Sequence, residues 1–266
     1  MEKLPKICAR YLICILVIFC FSSLFGQEPE RILYLSIPKS GTHLLKKAIE
    51  LLTHKPTRWI GLSEVAQFTP YKDLSSGPGI TGGHIFPEME CIHLNFSNRY
   101  YKILLIRDPR DVMLGFMHHL FHGLTWSACP TFDLERFQSL SFDERLQETL
   151  LFPYRNPSSC FPLATTWMHD PSVLVIRFED LIGEKGGGSY DKQLHTLQTL
   201  TNFLQIEISP EELATIADQL FGGTWTFRKG QIGSWKEAFS EDNKSLFKKL
   251  LGQTLIDWGY EHDSNW

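Results

Sequence analysis

The chain has 266 residues, enough to bury one substantial core, and we expect a single folded domain. Its composition, 43% hydrophobic and 21% charged, is that of an ordinary globular protein without low-complexity tracts. The formal net charge of −4 argues against a nucleic-acid binder driven by bulk charge, although it is compatible with a local basic pocket.

The first 26 residues differ from the rest of the chain. Three basic residues precede the apolar run from Tyr11 to Phe21, and small residues follow it. This layout is typical of a signal peptide. A membrane anchor is the alternative, although the run is short for a span of roughly 20 residues; a mis-assigned start codon is a third interpretation. We therefore divide the chain into a leader, 1–26, and a folded domain, 27–266. Either export interpretation places the domain outside the cytosol, whereas a mis-assigned start would leave it cytoplasmic.

The apolar run from Ile32 to Ile37 predicts a strand that ends in the loop Lys39-Ser40-Gly41-Thr42. A helix follows, because apolar residues recur after the loop at spacings of three and four. A helix N-terminus that follows a strand and a tight polar loop is an anion site, since its unpaired N–H groups converge where the helix dipole is positive. Gly41 lets the backbone approach a ligand, Thr42 offers a hydroxyl and Lys39 adds a mobile charge. We expect a phosphate to bind here.

Two further apolar runs repeat this pattern. Tyr101–Ile106 ends at Arg107, where Asp108 is a predicted helix cap and Pro109 occupies the first helical position. The second, Ser172–Phe178, closes on an acidic turn. Near-continuous apolar runs suit strands covered on both faces, so we predict an α/β fold with a mostly parallel, doubly wound central sheet flanked by helices. Ligands of such sheets bind beyond the carboxyl ends of the strands, which brings Lys39, Arg107 and Phe178 together.

The C-terminal part is predicted to be helical. Ser209 and Ser240 are predicted helix caps, the first within a capping-box pattern. Between these helices lies a basic loop punctuated by glycines, Phe227 to Lys236. We interpret the run Gly186-Gly187-Gly188 as a flexible surface turn.

Three motifs in this order give the chain a family resemblance. They are Pro38-Lys39-Ser40-Gly41-Thr42, Ile106-Arg107-Asp108-Pro109-Arg110-Asp111-Val112 and Phe227-Arg228-Lys229-Gly230-Gln231-Ile232-Gly233-Ser234-Trp235-Lys236. From about Leu33 to about Phe239 the chain resembles the sulfotransferases that use 3′-phosphoadenosine-5′-phosphosulfate (PAPS), in the branch similar to cytosolic sulfotransferases. The resemblance implies a fold like that of P-loop nucleotide hydrolases. Taken alone, the first motif is weak, because it lacks the Gly-Lys-Ser/Thr order of an ATP-type loop.

The resemblance implies roles for particular residues. The first motif would hold the 5′-phosphosulfate, and Lys39 would also stabilise charge on the leaving phosphate oxygen. Arg107 and the basic loop would bind the 3′-phosphate, for which a guanidinium and backbone amides are suitable ligands. The implied PAPS-binding residues are Lys39, Ser40, Gly41, Thr42, His43, Arg107, Phe178, Phe221, Arg228, Lys229 and Gly230.

The resemblance implies that His84 is the general base. It lies before Ile85-Phe86-Pro87 and upstream of the arginine motif, where the family has a histidine before a short Leu-Pro-like segment. A neutral imidazole can take the proton of the acceptor hydroxyl as its oxygen attacks sulfur. The alternative is a loop histidine with no catalytic role.

Several residues depart from the family pattern. Gly115 stands where a serine binds the 3′-phosphate. Among the aromatic residues that the family stacks on adenine, Leu44 stands where a tryptophan is usual and Phe178 where a tyrosine is common, and Phe221 can supply a stacking face. The lysine that often precedes the catalytic histidine is missing, with Gly82-Gly83 in its place. Weaker cofactor binding, or an inactive relative, would be consistent with these changes.

The residues His118, His119 and His122 invite a metal interpretation, because helical spacing puts His118 and His122 on one face. No carboxylate or cysteine lies at ligand spacing, so we expect no metal and favour a structural or acceptor-pocket role. Aromatic residues around them belong mostly to the core, and some can line an apolar acceptor pocket.

The sequence therefore predicts a sulfotransferase that moves a sulfuryl group from PAPS to a hydroxyl or amine, on a small molecule, a glycan or a lipid. A P-loop kinase is the rival enzyme, disfavoured because a clear magnesium-binding aspartate is missing. The alternative that is not an enzyme is an exported nucleotide-binding relative that has lost turnover. Neither the acceptor nor the oligomeric state can be predicted.

Overall fold

The computed structural model describes residues 31–60, 79–84, 100–123, 132–151, 157–224 and 228–266. The leader 1–26, the segment after His84 and Phe227 lie outside these residues. The described part contains one five-stranded sheet whose strands are all parallel. The strands are β1 (Arg31–Ser36), β2 (Arg58–Ile60), β3 (Ile80–Gly83), β4 (Tyr100–Ile106) and β5 (Val173–Arg177).

The strand order is β2-β3-β1-β4-β5, which places β1 at the centre. Near its carboxyl end, Leu35 pairs with Gly83 on one side and with Leu104 on the other. The segments that follow β1, β3, β4 and β5 therefore meet at one edge of the sheet. The predicted α/β class with a parallel sheet is confirmed.

Helices cover both faces of the sheet. They are α1 (Thr42–Thr53), α2 (Pro109–Phe121), α3 (Leu134–Ser139), α4 (Phe142–Leu151), α5 (Phe161–Met168), α6 (Phe178–Leu181), α7 (Tyr190–Phe203), α8 (Pro210–Leu220), α9 (Trp235–Ala238) and α10 (Glu241–Asp257), with short 3-10 turns at Pro157–Cys160 and Glu184–Gly186. None of the helices in the described ranges has the length and apolar character needed to cross a membrane.

The two core clusters explain the near-continuous apolar strands. Leu33 and Leu35 of β1 pack in the cluster with α2, α4, α5 and α10, whereas Ile32 and Tyr34 pack in the cluster with α1, α7 and α8. Successive strand residues point to opposite faces. Because both faces are covered, both sets must be apolar, and the usual alternation with polar residues is lost.

Three predicted caps are confirmed. The side chain of Asp108 accepts a hydrogen bond from the backbone N–H of Arg110, and Pro109 opens α2. Ser209 and Ser240 cap α8 and α10 in the same way. The Asp108 cap fixes where β4 ends and α2 begins, and so fixes the position of Arg107.

Candidate active site

The loop between β1 and α1 has two residues in the left-handed region, Lys39 at φ 69° and Gly41 at φ 102°. A Cβ atom at Gly41 would lie 2.5 Å from Phe178 Cδ2, so only glycine fits between the loop and α6. Both the N–H and the hydroxyl of Ser40 donate to Ile37 O, at 3.1 and 2.8 Å. Ser40 therefore shapes the loop from within.

The loop is tied to His84 through Ser36, the last residue of β1. Ser36 Oγ donates to Thr42 Oγ1 at 2.7 Å, and His84 Nδ1 lies 2.9 Å from Ser36 O. A carbonyl only accepts, so Nδ1 carries the ring proton and Nε2 is the basic nitrogen. Burial lowers the pKa of His84 to about 4, which keeps the imidazole neutral at physiological pH.

Two aromatic rings that the sequence did not single out as a group lie beside this histidine. The Trp59 indole, on edge strand β2, meets the His84 ring edge-on at 5.1 Å between centroids. It stacks on the His43 ring at 5.9 Å. Trp59 is 36% exposed, so its indole contacts His84 on one side and is partly open to solvent.

Arg107, which belongs to the second motif, contacts both the first motif and the third. Its Nη2 donates to Gln231 O at 2.9 Å and its Nη1 to Lys39 O at 3.4 Å. The guanidinium also lies 4.2 Å from the centre of the Phe178 ring. Its Nε is buried and has no hydrogen-bond partner among the described residues. A buried donor of this kind fits a site that is completed by an anionic ligand.

Asp111, four residues along α2, holds the basic loop in place. Its two carboxylate oxygens accept from the backbone N–H groups of Gly233, at 2.8 Å, and Trp235, at 3.1 Å. The carboxylate is almost fully buried, and burial raises its pKa, although Arg107 at 3.6 Å opposes that rise. The loop position therefore depends on an aspartate inside the arginine motif.

The run Gly186-Gly187-Gly188 forms a turn in which Gly187 is exposed, but the interpretation as a surface turn is wrong for Gly186. Gly186 is buried, and a Cβ atom there would lie 2.7 Å from Gly230 O. Its carbonyl accepts from Ile232 N–H at 2.9 Å. The basic loop packs too closely for a side chain at Gly186, whereas Gly187 has a φ of 83° and a Cβ atom at Gly188 would lie 2.8 Å from Glu179 O.

The three basic turns lie next to one another, since Arg107 donates to carbonyls of both the first motif and the basic loop. Burial, followed by repulsion from Arg228 and Arg107, lowers the pKa of Lys39 to about 8. Burial and Arg107 also lower the pKa of Arg228. Cations held this close repel one another, so the cleft is arranged for a ligand with several negative charges.

Phe178 and Phe221, the predicted adenine contacts, occupy different environments. Phe178 is 3% exposed and supports the loop beneath Gly41 and Arg107. Phe221 is half-buried just after α8, and Lys47 of α1 donates to the neighbouring carbonyl of Gly222 at 3.1 Å. Lys47 thus joins the segment around Phe221 to the helix that begins at the first motif.

One of the departures from the family pattern, at Gly82, has a structural explanation, and the other glycine, Gly115, does not. A Cβ atom at Gly82 would lie 2.0 Å from Tyr34 O and 2.4 Å from Tyr34 Cγ, so the Tyr34 side chain occupies the space of the missing lysine. The Tyr34 hydroxyl donates to Arg58 O at 3.2 Å. At Gly115 there is room, since an added Cβ would lie 3.6 Å from Lys39 Cβ.

The histidines of α2 lie near the same cations. Burial, followed by the charge of Lys39, lowers the pKa of His119 to about 4. For His118, whose pKa is also lowered to about 4, burial comes first and Arg228 next. Within the described ranges, no group of three or more histidine, cysteine or acidic residues could hold a metal ion.

Fold and site together define the class of this protein. It is a parallel α/β protein with a cationic cleft at the carboxyl edge of its sheet, next to a buried neutral histidine, and such a cleft is suited to a phosphorylated ligand.

Comparisons with known proteins identify relatives of this class. No protein-family model matches the chain. Sulfotransferase 2A1 of Mus musculus is 24% identical over 264 residues, covering 87% of this chain and 86% of the relative. Sulfotransferase 2A1 of Homo sapiens is 23% identical over 266 residues, covering 88% and 87%.

Solved structures share the fold. Mouse sulfotransferase SULT7A1 complexed with PAP has a TM-score of 0.61 at 19% identity, covering 88% of this chain and 89% of that chain. Retinol dehydratase in complex with androsterone and the inactive cofactor PAP has a TM-score of 0.58 at 17% identity, covering 87% and 82%. These comparisons confirm the resemblance to sulfotransferases and the predicted fold class, and they support a sulfotransferase activity with PAPS as co-substrate.

Proposed function

We propose that this protein transfers a sulfuryl group from PAPS to the hydroxyl or amine of a small-molecule acceptor, using Lys39 and His84. The observation that carries the proposal is the meeting of three basic turns in one cleft beside a buried neutral histidine. The sulfotransferase relatives support the same activity.

The cationic residues would hold the two phosphate groups of the donor. The N-terminus of α1, with the Thr42 hydroxyl, is suited to the 5′-phosphosulfate. The Nε of Arg107, which has no partner in the part of the chain that the structure describes, and the exposed Arg228-Lys229-Gly230 loop are suited to the 3′-phosphate. Because these groups repel one another when no ligand is bound, a doubly phosphorylated nucleotide relieves more repulsion than a singly phosphorylated one.

Lys39 and His84 would carry the chemistry. PAPS supplies the sulfuryl group, whose sulfur bonds to the acceptor oxygen as its bond to the bridging phosphate oxygen breaks. His84 takes the acceptor proton on Nε2, since Nδ1–H is engaged with Ser36 O. Lys39, with a pKa of about 8, is mostly protonated at neutral pH and stabilises negative charge on the leaving phosphate oxygen.

For the acceptor we propose an apolar small molecule with a hydroxyl group. A lipid that carries a hydroxyl group belongs to this class. Trp59 presents a half-exposed indole next to His84, and an apolar acceptor can pack on it. The retinol dehydratase structures contain androsterone or retinol, both named as ligands of that protein.

We also propose that the domain 27–266 works outside the cytosol, either after removal of the leader 1–26 or anchored by it. The support is the leader composition, a basic start followed by an apolar run. The Golgi lumen is a compartment that can supply the donor. Fractionation of cells that express the full chain tests this proposal, and a protein recovered from the cytosol with its leader intact would contradict it.

The activity is tested by measuring nucleotide binding and turnover separately on the full chain. We expect PAP, the desulfated product, to bind, and label to move from PAPS to an acceptor in a screen of hydroxyl compounds. Tight PAP binding without turnover on any acceptor would favour the nucleotide-binding relative that has lost activity. Hydrolysis of ATP would favour a P-loop kinase or hydrolase.

A further inference from the structure

One face of α2 lines the donor cleft beyond the arginine motif. Asp111, Gly115 and His118 are spaced by four and three residues, which places them on the same side of the helix. Asp111 binds the backbone of the basic loop, and Gly115 lies against Lys39. His118 follows one turn later, about 10 Å along the axis from Asp111.

The groups around His118 come from three elements. Arg228 and Lys229 act on it from the basic loop, His122 from its own helix and Arg145 from α4. The Phe142 ring of α4 packs against it, with 6.3 Å between ring centroids. Every charged group in this set is basic, so an imidazole placed here stays neutral until an anion arrives.

Because residue 115 is glycine, a hydrogen-bond donor to the 3′-phosphate is missing, and His118 can replace it. The resemblance implies a serine at Gly115 that donates a hydrogen bond to the 3′-phosphate, and glycine has no such group. The half-buried His118 lies one turn away on the same face, and its ring can supply the missing donor.

We propose that His118 binds the 3′-phosphate of the donor nucleotide beside Arg228 and Lys229, and that it takes up a proton when this phosphate binds. The inference rests on the proposed function, because it requires a 3′-phosphate in the cleft. It assigns this chain a further ligand for that phosphate, besides Arg107 and the basic loop, and makes nucleotide affinity depend on pH.

The direction of the pH effect follows from the charges. In the ligand-free protein the pKa of His118 is lowered to about 4, so the ring is neutral above pH 5. A phosphate dianion offsets Arg228 and Lys229 and attracts the proton, so the pKa rises in the complex. Affinity then increases as the pH falls through this raised value, by at most tenfold per pH unit for one proton.

The test compares PAP with AMP, which lacks only the 3′-phosphate. Calorimetric titration of the full chain in two buffers with different ionisation enthalpies gives the number of protons taken up with each nucleotide. Lys39 and the 3′-phosphate, whose own pKa is about 6, can also exchange protons, and the His118→Gln variant below separates their contribution from that of His118. We expect PAP to take up more protons than AMP at pH 6.5, and the ratio of PAP to AMP affinity to rise three- to tenfold from pH 8 to pH 6.5.

Two substitutions test whether His118 is the group that takes up the extra proton. His118→Gln keeps a hydrogen-bond donor but cannot titrate, so it should remove both the excess uptake and the pH dependence of the ratio. His122→Gln, one turn further along and exposed, is the matched control and should retain both. Excess uptake that survives in His118→Gln would overturn the inference.

A second measurement uses only the wild-type chain, so it does not require the His118→Gln variant to bind nucleotide. In a proton NMR titration of the wild-type chain, we expect the His118 ring in the PAP complex to titrate above pH 6.5. A ring that stays neutral down to pH 5 in the complex would overturn the inference but leave the proposed function standing. Failure of PAP to bind the wild-type chain would overturn both.

Discussion

Replacement of Lys39 by methionine separates the binding of the donor from its reaction. The lowering of the Lys39 pKa from 10.5 to about 8 corresponds to about 3 kcal/mol that opposes its charge in the ligand-free cleft, at 1.36 kcal/mol per pH unit. Burial is the largest cause of this lowering, followed by repulsion from Arg228 and Arg107, and methionine at this position is subject to neither. Much of what the lost cation contributed to PAP binding is therefore offset, and we expect the dissociation constant of PAP to rise less than tenfold.

Turnover should respond very differently to this substitution. A cation that stabilises developing charge on the leaving oxygen typically contributes about 3 to 4 kcal/mol to catalysis, so we expect kcat to fall about 10²- to 10³-fold. The assay is transfer from PAPS to acceptor, with calorimetric PAP binding on the same protein. Lys55→Met, which removes an exposed lysine just after α1, is the control and should change neither. Equal losses of PAP affinity and kcat would refute the catalytic role.

Three further predictions follow from the cleft. His84→Gln should abolish transfer and leave PAP affinity within a few-fold of wild type, and transfer that persists would exclude His84 as the base. Gly186→Ala should weaken PAP binding at least tenfold without preventing folding, because its Cβ displaces Gly230; unchanged binding by calorimetry would show that this contact is unimportant. Gly82→Ala should destabilise the fold by roughly 2 kcal/mol or more through its clash with Tyr34, and an unchanged thermal unfolding midpoint would contradict this.

The strands that are apolar on both faces could be predicted from the sequence, but the short ones could not. β1, β4 and β5 read as near-continuous apolar runs because helices cover both faces. β2 has three residues and β3 contains two glycines, so neither carries a periodic pattern. Trp59 was therefore not predicted to lie near His84.

The motifs located the basic turns but not what holds them together. The contact of Asp111 with the basic loop, and that of Gly186 with Gly230, join residues far apart in the chain. A single sequence carries no signal for such pairs, so the glycine run was taken for a surface turn. The contact of Tyr34 with Gly82, which leaves no room for a side chain there, was hidden for the same reason.

The contacts of individual site residues give information that the motifs lack. The motif position of His84 suggested a base, but the tautomer that leaves Nε2 basic follows only from the contact of Nδ1 with Ser36 O. Phe178 was expected to touch adenine because of its place in the sequence, and its location beneath Gly41 and Arg107 required the coordinates.

The most direct test is the affinity of the full chain for PAP, compared with variants in each of the three motifs. The account predicts a dissociation constant in the micromolar range or tighter for the wild type. It predicts at least tenfold weaker binding for Thr42→Ala, Arg107→Gln and Arg228→Gln, because each removes a ligand of the same nucleotide. A wild-type chain that does not bind PAP, or three variants that bind it as well as the wild type, would contradict the account.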